Sequence, residues 1–62
     1  MIEIYDVIRS LVDLNDKVPA GSKGTVLIIY PNFPPDYEIE FVNDSFETLD
    51  VLTVKSSNIV KV

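Results

Sequence analysis

The chain reads as an all-β domain of five short strands, forming a small, strongly curled barrel with a short 3-10 turn before the last strand. Three observations carry that reading. Residues 25–30, Thr-Val-Leu-Ile-Ile-Tyr, lie between Gly24 and Pro31, and four of the six are β-branched, which suits a pleated surface. Residues 36–42 alternate, with Tyr37, Ile39 and Phe41 on one side and Asp36, Glu38 and Glu40 on the other, the period of a half-buried strand. Residues 55–58, Lys-Ser-Ser-Asn, are polar and bring the chain into a last apolar run at 59–62, as a single tight helical turn would.

Each element follows in order. Met1 to Leu14 admits two readings. Tyr5, Ile8, Leu11 and Val12 share a helical face, whereas Ile8, Ser10, Val12 and Leu14 share one face of a strand. Five β-branched residues in the first twelve, and no clean N-cap, favour a first strand over roughly Asp6 to Asp13. Asn15 to Lys23 is a loop held irregular by Asn15, Asp16, Pro19 and Gly21. The second strand, Thr25 to Tyr30, is apolar almost throughout and is expected to be covered on both faces. The prolines of residues 31–35 make a stiff connection and deny the ladder its N–H groups. The third strand runs from Tyr37 to Val42 and pairs with the fourth, about Glu47 to Val54, across the turn formers Asn43, Asp44 and Ser45. Ile59 to Val62 is a short last strand placed to pair with the first.

At 62 residues the chain is one domain spanning 1–62. A domain of this size is marginal on its own, but 47% of its residues are hydrophobic, enough for one core if the strands wrap it. Cysteine is absent, so no disulfide or thiolate site exists, and a reducing cytoplasm is the expected setting. No run reaches the length of a transmembrane helix, and the first residues carry no basic region of a signal peptide. Ten acidic against five basic residues give a net charge of −5. That balance disfavours phosphate backbones and suits solubility or a basic protein partner.

Gly21-x-x-Gly24-Thr25-Val26, Asp6-Val7, Asp13-Leu14, Tyr37-Glu38-Ile39-Glu40-Phe41-Val42 and Leu52-Thr53-Val54 together resemble a family of bacterial domains of about sixty residues catalogued only as a domain of unknown function. The resemblance covers most of the chain through turn and core residues. It implies an SH3-like or KOW-like barrel, no enzyme activity, and an interaction with a product encoded nearby, in the manner of an antitoxin or immunity protein. The chain departs from the pattern at Ser10, where an apolar residue is usual, and in the proline-rich loop that carries Phe33.

Most chemistries are closed. Without His or Cys there is no nucleophilic triad and no His/Cys zinc site. Lys23 between Gly21 and Gly24 is not a phosphate loop, because it opens a strand rather than a helix. Asp36, Glu38 and Glu40 form a straight row, spaced about 7 Å apart along a strand, and do not converge as calcium ligands do. Asn43, Asp44, Ser45 and Glu47 lack the calcium-loop spacing and are read as a turn. A hydrolytic carboxylate pair needs a deep apolar cleft. No cofactor and no membrane are expected.

The expected function is therefore that of a non-catalytic protein-interaction module. Its surface is Tyr30, Phe33, Asp36, Glu38 and Glu40, the acids steering a basic partner and Phe33 anchoring it. Tyr5 is a further candidate for that surface, Tyr37 a candidate for the core, and Phe46 a plug in the core. The alternatives are a nucleic-acid-binding barrel using Lys17 and Lys23, and a structural module that self-associates through a sheet edge.

Overall fold

The computed structural model describes all residues, 1–62. Five strands, β1 (Val7–Ser10), β2 (Lys23–Tyr30), β3 (Asp36–Val42), β4 (Thr48–Lys55) and β5 (Ile59–Lys61), form one antiparallel sheet in the order β4-β3-β2-β1-β5, with a 3-10 turn over Ser56–Asn58. No helix is long and apolar enough to cross a membrane.

The sheet is open, and this corrects the strongly curled barrel expected from the sequence. β5 pairs with β1 as anticipated, but no ladder joins β5 to β4, and both remain edges. The outermost pair is too short to close a cylinder: β1 has four residues and β5 three. β1 is shorter than Asp6 to Asp13, and the backbone bonds of Ser10 and Leu11 are the last that tie this segment to its neighbours before the loop. The Ser10 N–H donates to the Ser22 carbonyl and its own carbonyl accepts from the Gly21 N–H, and the Leu11 N–H then goes to the Asn58 carbonyl. Leu11 and Val12 are exposed, and the helical reading of the first segment does not survive.

One side of the sheet carries the core: Ile8, Val18, Val26, Tyr37, Ile39, Phe41, Val54 and Ile59. The alternation of β3 is the one read from the sequence, with Tyr37, Ile39 and Phe41 buried. β2 is covered on one face only, since Ile28 is exposed. A bulge falls between Val26 and Ile28, where the register to β3 shifts. The extra residue bends the strand while keeping Val26 and Ile29 on the core side.

The loop before β2 supplies a core residue of its own. The Asn15 carboxamide oxygen accepts the N–H groups of Lys17 and Val18, and the Asp13 carboxylate accepts that of Ala20. Such side chains replace the ladder bonds a loop lacks and drive Val18 to full burial. Ser10 is buried on the same side, where its hydroxyl donates to the Pro19 carbonyl at 3.0 Å. The serine that breaks the apolar pattern thus holds the loop down.

Gly24 is the cross-strand partner of Phe41, and the side chains of Ile39 and Phe41 lie over its backbone. A Cβ at this position would lie 2.5 Å from Ile39 Cγ2, 3.0 Å from Phe41 Cδ1 and 3.1 Å from the Glu40 carbonyl oxygen. The glycine is needed for close approach, not for its torsion angles. Gly21, by contrast, has φ +86° with open space around it, and there it is the turn that favours glycine.

At the N-terminal end, the Asp6 carboxylate accepts the Glu3 N–H at 2.8 Å and pairs with Lys61 on β5 at 3.2 Å. The Glu3 N–H, and secondarily Lys61, hold the Asp6 carboxyl below its ordinary value of 3.8. Stabilisation from a depressed carboxylate is present above the ordinary value and is lost as pH falls through the lowered one.

Two outcomes follow for stability. Gly24→Ala is expected to cost about 1–3 kcal/mol by overpacking, read as a lowered midpoint in denaturant unfolding; an unchanged midpoint contradicts the close approach. Asp6→Asn is expected to lower the melting temperature at about pH 7, with the gap to the parent closing in acid as the pH falls through the lowered value of the Asp6 carboxyl. A gap that persists in acid removes the charge from the explanation.

Candidate functional site

Register places the outward side chains in rows across the exposed face of the sheet. Tyr30, Asp36 and Lys55 form one row, and Ile28, Glu38 and Thr53 the next. Val7, Thr25, Glu40 and Val51 form a third, and Arg9, Lys23, Val42 and Thr48 the last. Residues distant in sequence share this surface because antiparallel neighbours on one face stand about 5 Å apart.

The expected binding residues are partly brought together. Asp36, Glu38 and Glu40 stand in line along β3 and face away from the core. Each carboxylate is positioned by a neutral donor: Asp36 by the Asn32 amide at 2.9 Å, Glu38 by the Thr53 hydroxyl, and Glu40 by the Thr48 hydroxyl. The Tyr30 hydroxyl approaches Glu38 at 3.4 Å. None of the three is paired with a cation, since the single ion pair of the structure joins Asp6 and Lys61. Lys55 stands across the ladder from Asp36, while Glu38 and Glu40 face Thr53 and Val51 and have no cation opposite them on β4. Ile28, Val7 and Val51 are exposed between them and give the face an apolar component.

Phe33 is fully exposed in the connection between β2 and β3, as its neighbours Asn32 and Pro34 suggested. Tyr5 is exposed too, but its backbone N–H is bound to the Val26 carbonyl, midway along β2. Tyr37 belongs to the core. No three acidic side chains converge as a metal-ligand set.

Phe46 is a correction. It does not plug the core; it is 84% exposed, with φ +63°. The hairpin between β3 and β4 explains this. The Phe46 N–H donates to the Asn43 carbonyl and the Asn43 N–H to the Glu47 carbonyl, while the Asn43 side chain accepts from the N–H groups of Ser45 and Glu47. This is a tight turn followed by a residue in the left-handed region, a place normally given to glycine. A side chain there costs about 1–2 kcal/mol, and Phe46 buries little in return.

Phe46 stands on the wall of a hollow of about 470 Å³ formed where the loop before β2 meets the β3–β4 hairpin. Arg9, Lys17 and Lys23 line it, and Asp44 is its one carboxylate. Arg9 and Lys23 are direct cross-strand partners, and like charges placed so are destabilising. The Arg9 guanidinium is oriented by the Gly21 carbonyl at 2.8 Å. Sequence reasoning grouped Lys17 with Lys23 but not with Arg9, because only the β1–β2 register sets Arg9 beside them. The positive φ of Phe46 was equally hidden, although the Asn-Asp-Ser turn signal immediately before it marks the hairpin.

A family model described as a domain of unknown function (DUF4926) matches residues 4–61. No match was found among curated proteins or among solved structures.

Proposed function

The chain belongs to the DUF4926 family of domains of unknown function, and from that premise we propose that it is a non-catalytic protein-interaction module whose exposed sheet face takes a basic partner. The observation that carries this reading is the row Asp36, Glu38 and Glu40: three carboxylates held by neutral donors, none of them in an ion pair and only Asp36 with a lysine, Lys55, across the ladder, beside exposed Ile28 and Val51. Fixed charges of one sign raise the rate of encounter with an opposite surface, and the apolar residues between them supply area that is buried on contact. Tyr30 borders the row, and Phe33 projects from the adjoining loop as an anchor. A cytoplasmic setting and a partner encoded nearby are part of the proposal, in keeping with the cysteine-free chain and the family resemblance.

An SH3-like fold is also proposed. Strand order and the 3-10 turn between β4 and β5 favour it. In a flat sheet β4 and β5 would be separated by four strand spacings, about 19 Å. The turn from Lys55 to Ile59 spans four Cα steps, at most about 14 Å. The two edges must therefore bend toward each other, as the sheet of an SH3-like domain does without a closed ladder.

Self-association through the free edges of β4 and β5 is the competing reading, and a charge of −5 on every copy opposes it. The test mixes the protein with the product of the adjacent gene and follows co-elution and the binding rate at low and high salt. The double variant Glu38→Lys, Glu40→Lys is expected to slow association about tenfold or more at low salt. A complex that forms at the same rate with the double variant contradicts the acidic face as its docking surface.

A further inference from the structure

The hollow between the β2-preceding loop and the β3–β4 hairpin lies at the opposite end of the sheet from Tyr30 and Asp36. Three of the chain's five basic residues line it, against a single carboxylate. Three cations and Asp44 leave it at +2 within a molecule of −5. Two further features are unfavourable to folding and meet at this same place. Arg9 and Lys23 oppose each other across a ladder, and Phe46 occupies the left-handed region while exposed to solvent. A glutamine for Lys23, or a glycine for Phe46, would relieve each of them at no cost to the core. One of the chain's two non-glycine residues at positive φ (the other, Tyr5, lies outside the hollow) and a like-charge cross-strand pair thus share this concave surface, and strain of this kind directs attention to a candidate ligand surface.

We propose that this hollow binds a small phosphate monoester carried on a flat ring, a ligand of the nucleoside monophosphate class. A phosphate monoester carries about −1.5 to −2 at neutral pH, matching the +2 of the lining. The Arg9 guanidinium, held at one nitrogen by Gly21, retains donors in the fork geometry that suits phosphate oxygens. Lys23 and Lys17 add mobile charge. Phe46 offers an exposed ring for stacking, and Asp44 offers an acceptor to a ring amine. The volume lies within the usual range for a small-molecule site, about 300–1,000 Å³.

The surrounding charge limits the ligand's size. The molecule's radius of gyration is 10.4 Å, and the screening length at physiological salt is about 8 Å. A ligand confined to the hollow senses mainly its cations. A polynucleotide extending beyond it meets Glu40, Glu47 and the rest of the acidic surface, so a long phosphate backbone is disfavoured where a single phosphate is not.

The experiment is an amide-resolved NMR titration of the intact protein with adenosine monophosphate, with inorganic phosphate and adenosine as half-ligands. Adenosine monophosphate is expected to shift the amides of Arg9, Gly21, Lys23 and Phe46, to leave Glu38 unmoved, and to bind about tenfold or more tightly than either half. Phe46→Gly is expected to raise the melting temperature and weaken binding about tenfold. Lys23→Gln is expected to weaken binding similarly without lowering the melting temperature. Four outcomes overturn the assignment: no shift at the hollow, phosphate alone binding as tightly, a single-stranded oligonucleotide binding more tightly, or a fall in melting temperature for Phe46→Gly. This site shares no residue with the acidic face, so its failure leaves the protein-binding proposal standing, and the reverse holds too.

Discussion

The contact between the Gly24 backbone and the side chains of Ile39 and Phe41 is the constraint from which the rest of the structure follows. Ile39 and Phe41 are fully buried, and they reach that state by lying against a strand that presents no side chain beneath them. Interiors are packed to crystal-like density, so a strand that can approach by the width of one methyl group determines which side of the sheet becomes the core. Once β2 and β3 are pinned in that register, Val26 and Tyr37 fall inward with them. β1 then adds Ile8, the preceding loop adds Val18, and β4 and β5 contribute Val54 and Ile59.

A one-sided core leaves the opposite face of a small sheet in solvent, and on this chain that face is segregated by charge. The same register that buries Tyr37, Ile39 and Phe41 turns Asp36, Glu38 and Glu40 outward, because side chains alternate with a period of two. At the other end it sets Arg9 against Lys23. Acidic row and cationic hollow are thus both consequences of how β1, β2 and β3 are aligned. A slip of one residue in the β2–β3 ladder would carry the acidic row to the core side, and one in the β1–β2 ladder would part Arg9 from Lys23, so both surfaces depend on the registers that build the core.

Much of this was legible in the sequence where a local rule and the tertiary outcome agree. The alternation of residues 36–42 identified the core and solvent sides of β3 because a half-buried strand needs nothing else. The polar residues before Ile59 announced the 3-10 turn, and Phe33 among prolines was rightly read as exposed. Features set by long-range contacts were not legible. Val18 sits in a segment of loop composition and is buried only because Asn15 and Asp13 fold the loop over the core. Ser10 is buried in β1 because its hydroxyl bonds the Pro19 carbonyl, which no periodicity reports. Phe46 looked like a core residue by type, and the hairpin's backbone geometry overrode its hydrophobicity. The juxtaposition of Arg9 and Lys23, separated by fourteen positions, exists only in the register.

Native-state amide hydrogen exchange, resolved residue by residue, tests the central claim most directly. If the β2–β3 contact organises the molecule, the amides of Thr25 and Glu40, paired across that ladder, exchange only through global unfolding, with protection equal to the full stability, while those of Asn32, Phe33 and Ser45 exchange through local opening. Protection at Thr25 and Glu40 no greater than in those loops, in a protein that remains folded, would contradict it.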